Sequence, residues 1–221
     1  MNFPRILKKR KGYIDRIKPF MQKSVVKVLT GQRRVGKSFL LYQLIEEILA
    51  EEPNANIIYV NLEDFTFSSL QTAEDLHSYI ISHSKEKVKN YIFIDEIQDI
   101  PGFEKVIRSL LLNEDNDIYI TGSNAKMLSG ELATYLSGRY IEFKIYSLSY
   151  SEFLEFHGLT ESETSYELYS RYGGLPYLLN LPLEDETVNE YLKSVYSTIV
   201  FRDVVSRYKL RNTPLKKLFF F

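Results

Sequence analysis

The residues Gly31-Gln32-Arg33-Arg34-Val35-Gly36-Lys37-Ser38 fit the spacing G-x-x-x-x-G-K-[ST], and their setting narrows the fold more than any other stretch. An apolar run, "VVKVLT" (25–30), precedes them, and a helical pattern, "KSFLLYQLIEEILAEE", follows with Phe39, Leu40, Leu44 and Ile48 on one stripe. A buried strand that turns sharply into a helix needs partner strands beside it and helices over it. The glycines let the backbone curl so that successive N–H groups face one anion, and the helix start adds its positive dipole end. In that geometry Lys37 reaches the β- and γ-phosphates of a nucleotide and the Ser38 hydroxyl ligates Mg2+. A plain strand-to-helix turn has no need of Lys-Ser directly after the second glycine. Gly31, Gln32, Arg33, Arg34, Val35, Gly36, Lys37, Ser38 and Phe39 are therefore the candidate nucleotide-binding set. Arg33 and Arg34 stand at variable positions of the pattern, where the backbone serves the phosphates and the side chains are expected to point outward.

The partner strands are present. "NIIYVNL" (56–62), "YIFID" (91–95), "DIYIT" (117–121) and "YIEFKIY" (140–146) are β-branched and aromatic runs of strand length. "IIYV" and "YIFI" are apolar on both faces, as central strands covered on two sides are. Between the strands lie helical patterns: "TAEDLHSYIISHSKE", "PGFEKVIRSLLLNED" with Pro101 suited to a first turn, and "NAKMLSGELATYLSG" opened by Ser123 or Asn124 as a cap. After residue 147, "LSYSEFLEFHG", "SYELYSRYGGLPYLL" and "DETVNEYLKSVYSTIVFRDVVSRYK" read as helices with no strand between. The expectation is an α/β fold: a core of five mainly parallel strands with helices on both faces over residues 1–148, then a small helical lid over 149–221.

Composition excludes several alternatives. With no cysteine in 221 residues there is no disulfide framework, thiolate metal site or cysteine nucleophile. No apolar run approaches the roughly 18 to 20 residues of a membrane span, and the start "MNFPRILKKRKGY" lacks the apolar stretch of a secretion signal, so the expected address is the cytoplasm. The net charge is −1, yet residues 1–37 carry 12 Lys/Arg against one Asp. Part of that charge is the loop's. The "KKRK" of Lys8 to Lys11 is not, and suits nucleic acid, an acidic partner or plain solvation.

A nucleotide loop needs a second carboxylate on the metal side, and "YIFIDEIQ" ends four apolar residues in Asp95-Glu96. Asp95 would hold Mg2+ directly or through water, and Glu96 would polarise the water that attacks the γ-phosphate. At the end of the fourth strand, "DIYITGSNA" places Thr121, Ser123 and Asn124, with Asn124 the first choice to orient that water and Ser123 the second; capping of the next helix explains the same residues. Arg139, just before the fifth strand, can complete a neighbouring subunit's site, read the γ-phosphate in its own, or be a solvated charge after a helix C-cap at Gly138.

The ordered set "GQRRVGKS", "YIFIDEIQ", "YITGSNAKMLSGELATYLSGRYIEFKIYSLSYSEFL" and "YGGLPYLL" resembles the AAA+ superfamily of P-loop ATPases, and within it the prokaryotic ATP-binding proteins related to the STAND ATPases. The resemblance runs from about Arg10 to Lys209. It implies that Gly174-Leu175-Pro176 lies in the lid with Pro176 against the nucleotide base, and that Tyr13 to Ile17 help enclose the adenine. It also implies a further family-specific carboxy-terminal domain, against which the apolar end Leu218 to Phe221 would pack.

The leading function is an Mg2+-dependent ATPase that couples nucleotide state to a partner or effector domain, with Glu96, Asn124 and Arg139 in catalysis and a homo-oligomer as one expected state. A nucleotide-gated switch with little turnover and a nucleic-acid-stimulated motor share the same binding site. Small-molecule phosphoryl transfer is disfavoured, because "YGGLPYLLNLPLEDETV" is acidic where such lids are arginine-rich.

Overall fold

The computed structural model describes residues 8–122, 136 and 138–199. Five strands, β1 (Val26–Gly31), β2 (Asn56–Asn61), β3 (Asn90–Asp95), β4 (Asn116–Gly122) and β5 (Tyr140–Ile145), form one sheet in the order β2-β3-β4-β1-β5. Every pairing is parallel, so the expectation of five mainly parallel strands holds in a stricter form. Helix α1 (Lys11–Ile17) precedes β1, and α2 (Lys37–Glu51), α3 (Ala73–His83) and α4 (Phe103–Leu110) connect β1 through β4.

Alternation along the strands feeds two apolar layers. Val26, Val28, Ile92, Ile94, Ile118 and Ile120 pack with Leu76 and Ile80 of α3 and Val106 and Ile107 of α4. Leu29, Tyr91, Phe93, Tyr119 and Phe143 pack on the other face with Ile14 and Ile17 of α1 and Leu40, Leu41, Leu44 and Ile45 of α2. Each fully buried Leu, Ile or Phe contributes roughly 1.5 to 3 kcal/mol relative to exposure, so both faces need their helices.

Three expectations change. β2 is the edge strand and only half-buried, so its apolar "IIYV" does not mark a central position; β3, β4 and β1 are the strands buried along their whole length. Pro101 lies ahead of α4, whose N-cap is Gly102 in the left-handed region. Phe39 leaves the buried stripe of α2 and stands half-exposed. The helix expected over "NAKMLSGELATYLSG", including Ser123 and Asn124, lies almost wholly outside the described residues.

Beyond β5 the regular elements among the described residues are all helical: α5 (Tyr150–His157), α6 (Glu163–Tyr172), a 3-10 turn at Pro176–Asn180 and α7 (Asp185–Ile199). Ser149 opens α5 with a capping box, its side chain accepting from the Glu152 N–H while Glu152 accepts from the Ser149 N–H. Tyr172, Leu178 and Val188 form a small core of this segment. Leu148, in the link that follows β5, donates its N–H to Gly174 O at 2.7 Å. A Cβ at Gly174 would overlap the Leu148 carbonyl, so this corner of the "GGLP" element takes only glycine.

Candidate functional site

Because all strands run the same way, their carboxyl ends share one edge, and the order β3-β4-β1 brings three sequence-distant ends side by side there. Gly31 ends β1, Asp95 ends β3 and Thr121 is next to last in β4. In open α/β sheets the crevice outside such carboxyl ends is where ligands bind.

The loop after β1 turns into α2 through Gly36, whose φ of 92° is costly for any residue with a Cβ. Arg34 also adopts a positive φ, 66°. No side chain caps the first turn of α2 and no acidic residue lies in it. Its backbone N–H groups and positive dipole end are left to an external anion. The Lys37 ammonium, almost fully buried, donates to Gly31 O and Gln32 O, both at 3.2 Å, and stands 3.6 Å from Glu96 Oε1.

Asp95 is held by hydroxyls. Thr121 Oγ1 donates to Asp95 Oδ1, Ser38 hydrogen-bonds the same carboxylate, and the Tyr59 hydroxyl lies 3.4 Å from Oδ2 and 3.0 Å from the Tyr42 hydroxyl. Burial pushes the Asp95 carboxyl above its ordinary range, while Ser38, Thr121 and Lys37 pull it back. A hydroxyl joined to one buried carboxylate is a hard-oxygen donor set of the kind Mg2+ takes when phosphate and water complete its shell, so Ser38 and Asp95 fit that ion. Among the described residues no group of three or more His, Cys, Asp or Glu could hold a metal by itself. Glu96 sits at φ 56°, fixed by its N–H to Thr121 Oγ1 at 3.0 Å, and Gln98 Nε2 donates to its Oε2 at 2.5 Å.

Over these groups lies a cavity of about 680 Å3, within the range of small-molecule sites. Its lining includes five basic residues, Lys8, Arg10, Arg33, Arg34 and Lys37, against two acidic ones, Glu63 and Glu96, a balance that favours a polyanion. Gly36, Ser38 and Phe39 line it from the loop side and Pro176, Tyr177, Asn180 and Tyr191 from the helical segment. A Cβ built on Gly36 would stand 3.7 Å from Pro176 Cγ, so the two motifs meet.

Several expected placements shift. Arg33 and Arg34 turn toward the cavity rather than outward: Arg33 pairs with Glu63 at 3.4 Å, and the Arg34 guanidinium lies 6.0 Å from the Tyr191 ring. Of Tyr13 to Ile17, Ile14 and Ile17 are core residues, and the cavity wall on that side comes from Lys8 and Arg10. "KKRK" is not a free basic strip. Arg10 is buried, Lys9 pairs with Glu47 at 2.7 Å, and Lys8 donates to Glu155 O. Arg139 does not join the site; its carbonyl accepts from Val26 N–H at the amino-terminal edge, a full strand from Gly31, about 17 Å at 3.3 Å per residue. Asn124 lies outside the described residues. Sequence reading missed Arg10, Tyr59, Glu63, Tyr177 and Tyr191; only Tyr177, beside Pro176, carried a local signal.

Residues 23–154 match the model of the AAA domain. The chain belongs to the AAA domain family. This AAA domain is 38% identical over 220 residues to an uncharacterised protein of Haemophilus influenzae, covering 94% of the chain and 53% of that protein. It is 32% identical over 200 residues to an uncharacterised protein of Methanocaldococcus jannaschii, covering 85% of the chain and 43% of that protein. The chain thus spans about half the length of these relatives. Its fold is similar to that of the Aeropyrum pernix ORC1 protein, solved in complex with DNA, with a TM-score of 0.53, 15% identity and coverage of 94% and 70% of the two chains. Family and fold together make this a nucleotide-binding ATPase fold of the AAA+ superfamily.

Proposed function

We propose that this AAA domain binds ATP with Mg2+ and hydrolyses it to ADP and phosphate, and that its lid, residues 149–221, carries the nucleotide state to a partner or effector domain. The observation behind this reading is the meeting of Lys37, Ser38, Asp95 and Glu96 in and beside one basic cavity roofed by Pro176. Lys37 exchanges its two loop carbonyls for β- and γ-phosphate oxygens. Ser38 and Asp95 would hold Mg2+, which supplies charge neutralisation between the phosphates.

Gln98 fixes one oxygen of Glu96 and leaves Oε1 facing Lys37. That oxygen takes a proton from the water that attacks the γ-phosphorus, while the bond to the bridging oxygen breaks and ADP departs. Asn124 orients the water. Arg139, too far from its own loop, completes the site of a neighbouring copy in a homo-oligomer.

Within the superfamily we place the chain near the STAND ATPases on "GGLP", because Pro176 stands over Gly36. The cytoplasm is the proposed address; among the described residues no helix is long and apolar enough to cross a membrane. A nucleic-acid-stimulated motor is the weaker reading, since Lys9 and Arg10 already have partners and the likeness to the Aeropyrum pernix protein rests on fold alone.

Glu96→Gln separates turnover from holding. Phosphate release should fall by roughly 100- to 10,000-fold with ATP binding kept. Release at the wild-type rate would move the base elsewhere, and a wild type that binds ATP without releasing phosphate would make the domain a nucleotide-gated switch.

A further inference from the structure

We propose that Arg10 is a positioning residue that joins the phosphate loop to the lid, orienting the Gly36 N–H toward phosphate and passing the state of that peptide to α5. The proposal rests on the ATP-binding reading and adds the element by which nucleotide reaches the lid.

A guanidinium has five N–H donors, and the Arg10 side chain makes five hydrogen bonds. Nε and Nη2 form a two-pronged pair with Glu152, at 2.8 Å to Oε1 and 2.9 Å to Oε2. Nη1 donates to Tyr146 O at 2.8 Å and to Val35 O at 3.2 Å, and Nη2 donates to Ser147 O at 3.3 Å. The Arg10 N–H donates to Gln43 Oε1 of α2 at 2.9 Å, and the guanidinium lies 4.5 Å from the centre of the Tyr13 ring. Arg10 is 5% exposed, so these bonds are shielded from competing water. No donor is left for a nucleic-acid phosphate or for the nucleotide itself.

The contact with Val35 gives the arrangement its consequence. The Val35 carbonyl and the Gly36 N–H belong to one planar trans peptide and point in opposite directions. Holding the carbonyl toward Arg10 therefore aims the N–H away from it, and polarising the carbonyl makes that N–H a stronger donor. Gly36 lines the cavity, and its N–H belongs to the phosphate-facing backbone of the loop. On the other side the same guanidinium grips Glu152, whose carboxylate also closes the capping box that starts α5. Rotation of the loop peptide must alter either the hold on α5 or its angle. Lysine cannot substitute, because one ammonium with three donors cannot span two carboxylate oxygens and three carbonyls.

The test compares the wild-type chain with Arg10→Lys and Glu152→Gln. Readouts are ATP affinity with Mg2+ by titration, hydrogen exchange of the α5 amides with and without ATP, and melting temperature without nucleotide. Arg10→Lys should weaken ATP binding about tenfold and abolish the ATP-dependent change in α5 exchange. Glu152→Gln, which keeps shape but loses the charge, should retain more of the affinity and still lose the α5 response. Lower melting temperatures with unchanged ATP affinity and unchanged α5 response would make Arg10 a structural tie only and overturn the proposal. Should Arg10→Lys fail to fold, the α5 response of Glu152→Gln decides alone. A wild type that binds no ATP fails the underlying reading instead, a result distinguishable from wild-type binding with no α5 response.

Discussion

Thr121 serves two neighbours with one hydroxyl, donating to the Asp95 carboxylate and accepting from the Glu96 N–H. Thr121→Val keeps the volume and leaves a buried N–H unsatisfied, which should cost about 1 to 3 kcal/mol in denaturant unfolding. Glu96 then loses the contact that holds its left-handed backbone, so phosphate release should fall more than ATP affinity does. Equal losses in both would mean that Thr121 acts on the loop instead. The sequence showed Gly31 to Ser38, Asp95 and Glu96 because their chemistry is local: each is defined by the strand it follows or the turn it makes. Thr121 and Arg10 were not legible in the same way. Their partners lie in β3 for Thr121 and at Val35, Tyr146, Ser147 and Glu152 for Arg10, so only the strand order and chain packing bring them together.

The runs that became α3 and α5 were visible by their period, and the structure opens each with a capping box, at Thr72 and Ser149. Strand order was not, because β2 and β3 share an apolar pattern while only β3 is central. Lys27, inside "VVKVL", is fully buried against Asp117, with Tyr119 O–H and Gln22 N–H also on that carboxylate. Burial pushes the Lys27 ammonium below its usual range and Asp117 pulls it back. Asp117→Asn should cost about 3 to 5 kcal/mol in denaturant unfolding, the penalty of a buried charge left alone. ATP affinity of the folded fraction should stay unchanged, because Asp117 lies at the amino-terminal edge, away from the loop.

The junction of α5 with the sheet carries a pH signature. Burial opposes ionisation of Glu152, but the Arg10 guanidinium and the Ser149 N–H outweigh it and hold the carboxyl below the ordinary glutamate value of 4.5. A lowered folded value means stability that is complete above 4.5 and lost as pH falls through the folded value. The stability gap between wild type and Glu152→Gln should therefore be widest near neutral pH and close in acid. A gap independent of pH would remove the charge pair from the explanation.

For the molecule as a whole, the cavity draws its walls from both the loop and the helical segment, so a ligand held by the loop there would also touch that segment. Arg139 lies at the opposite edge of the sheet from its own loop, so the proposed role in catalysis requires a second copy of the chain. Turnover per subunit should rise with protein concentration, and Arg139→Ala should lower it by roughly a thousandfold or more while binding stays intact; a flat concentration series would remove Arg139 from catalysis. All of this depends on ATP entering the cavity through the loop. The most direct measurement is a calorimetric titration of ATP with Mg2+ into the wild-type chain and into Lys37→Ala. Saturable binding of one ATP per wild-type chain, absent in the variant, is expected; equal binding by the two proteins, or none by either, would contradict it.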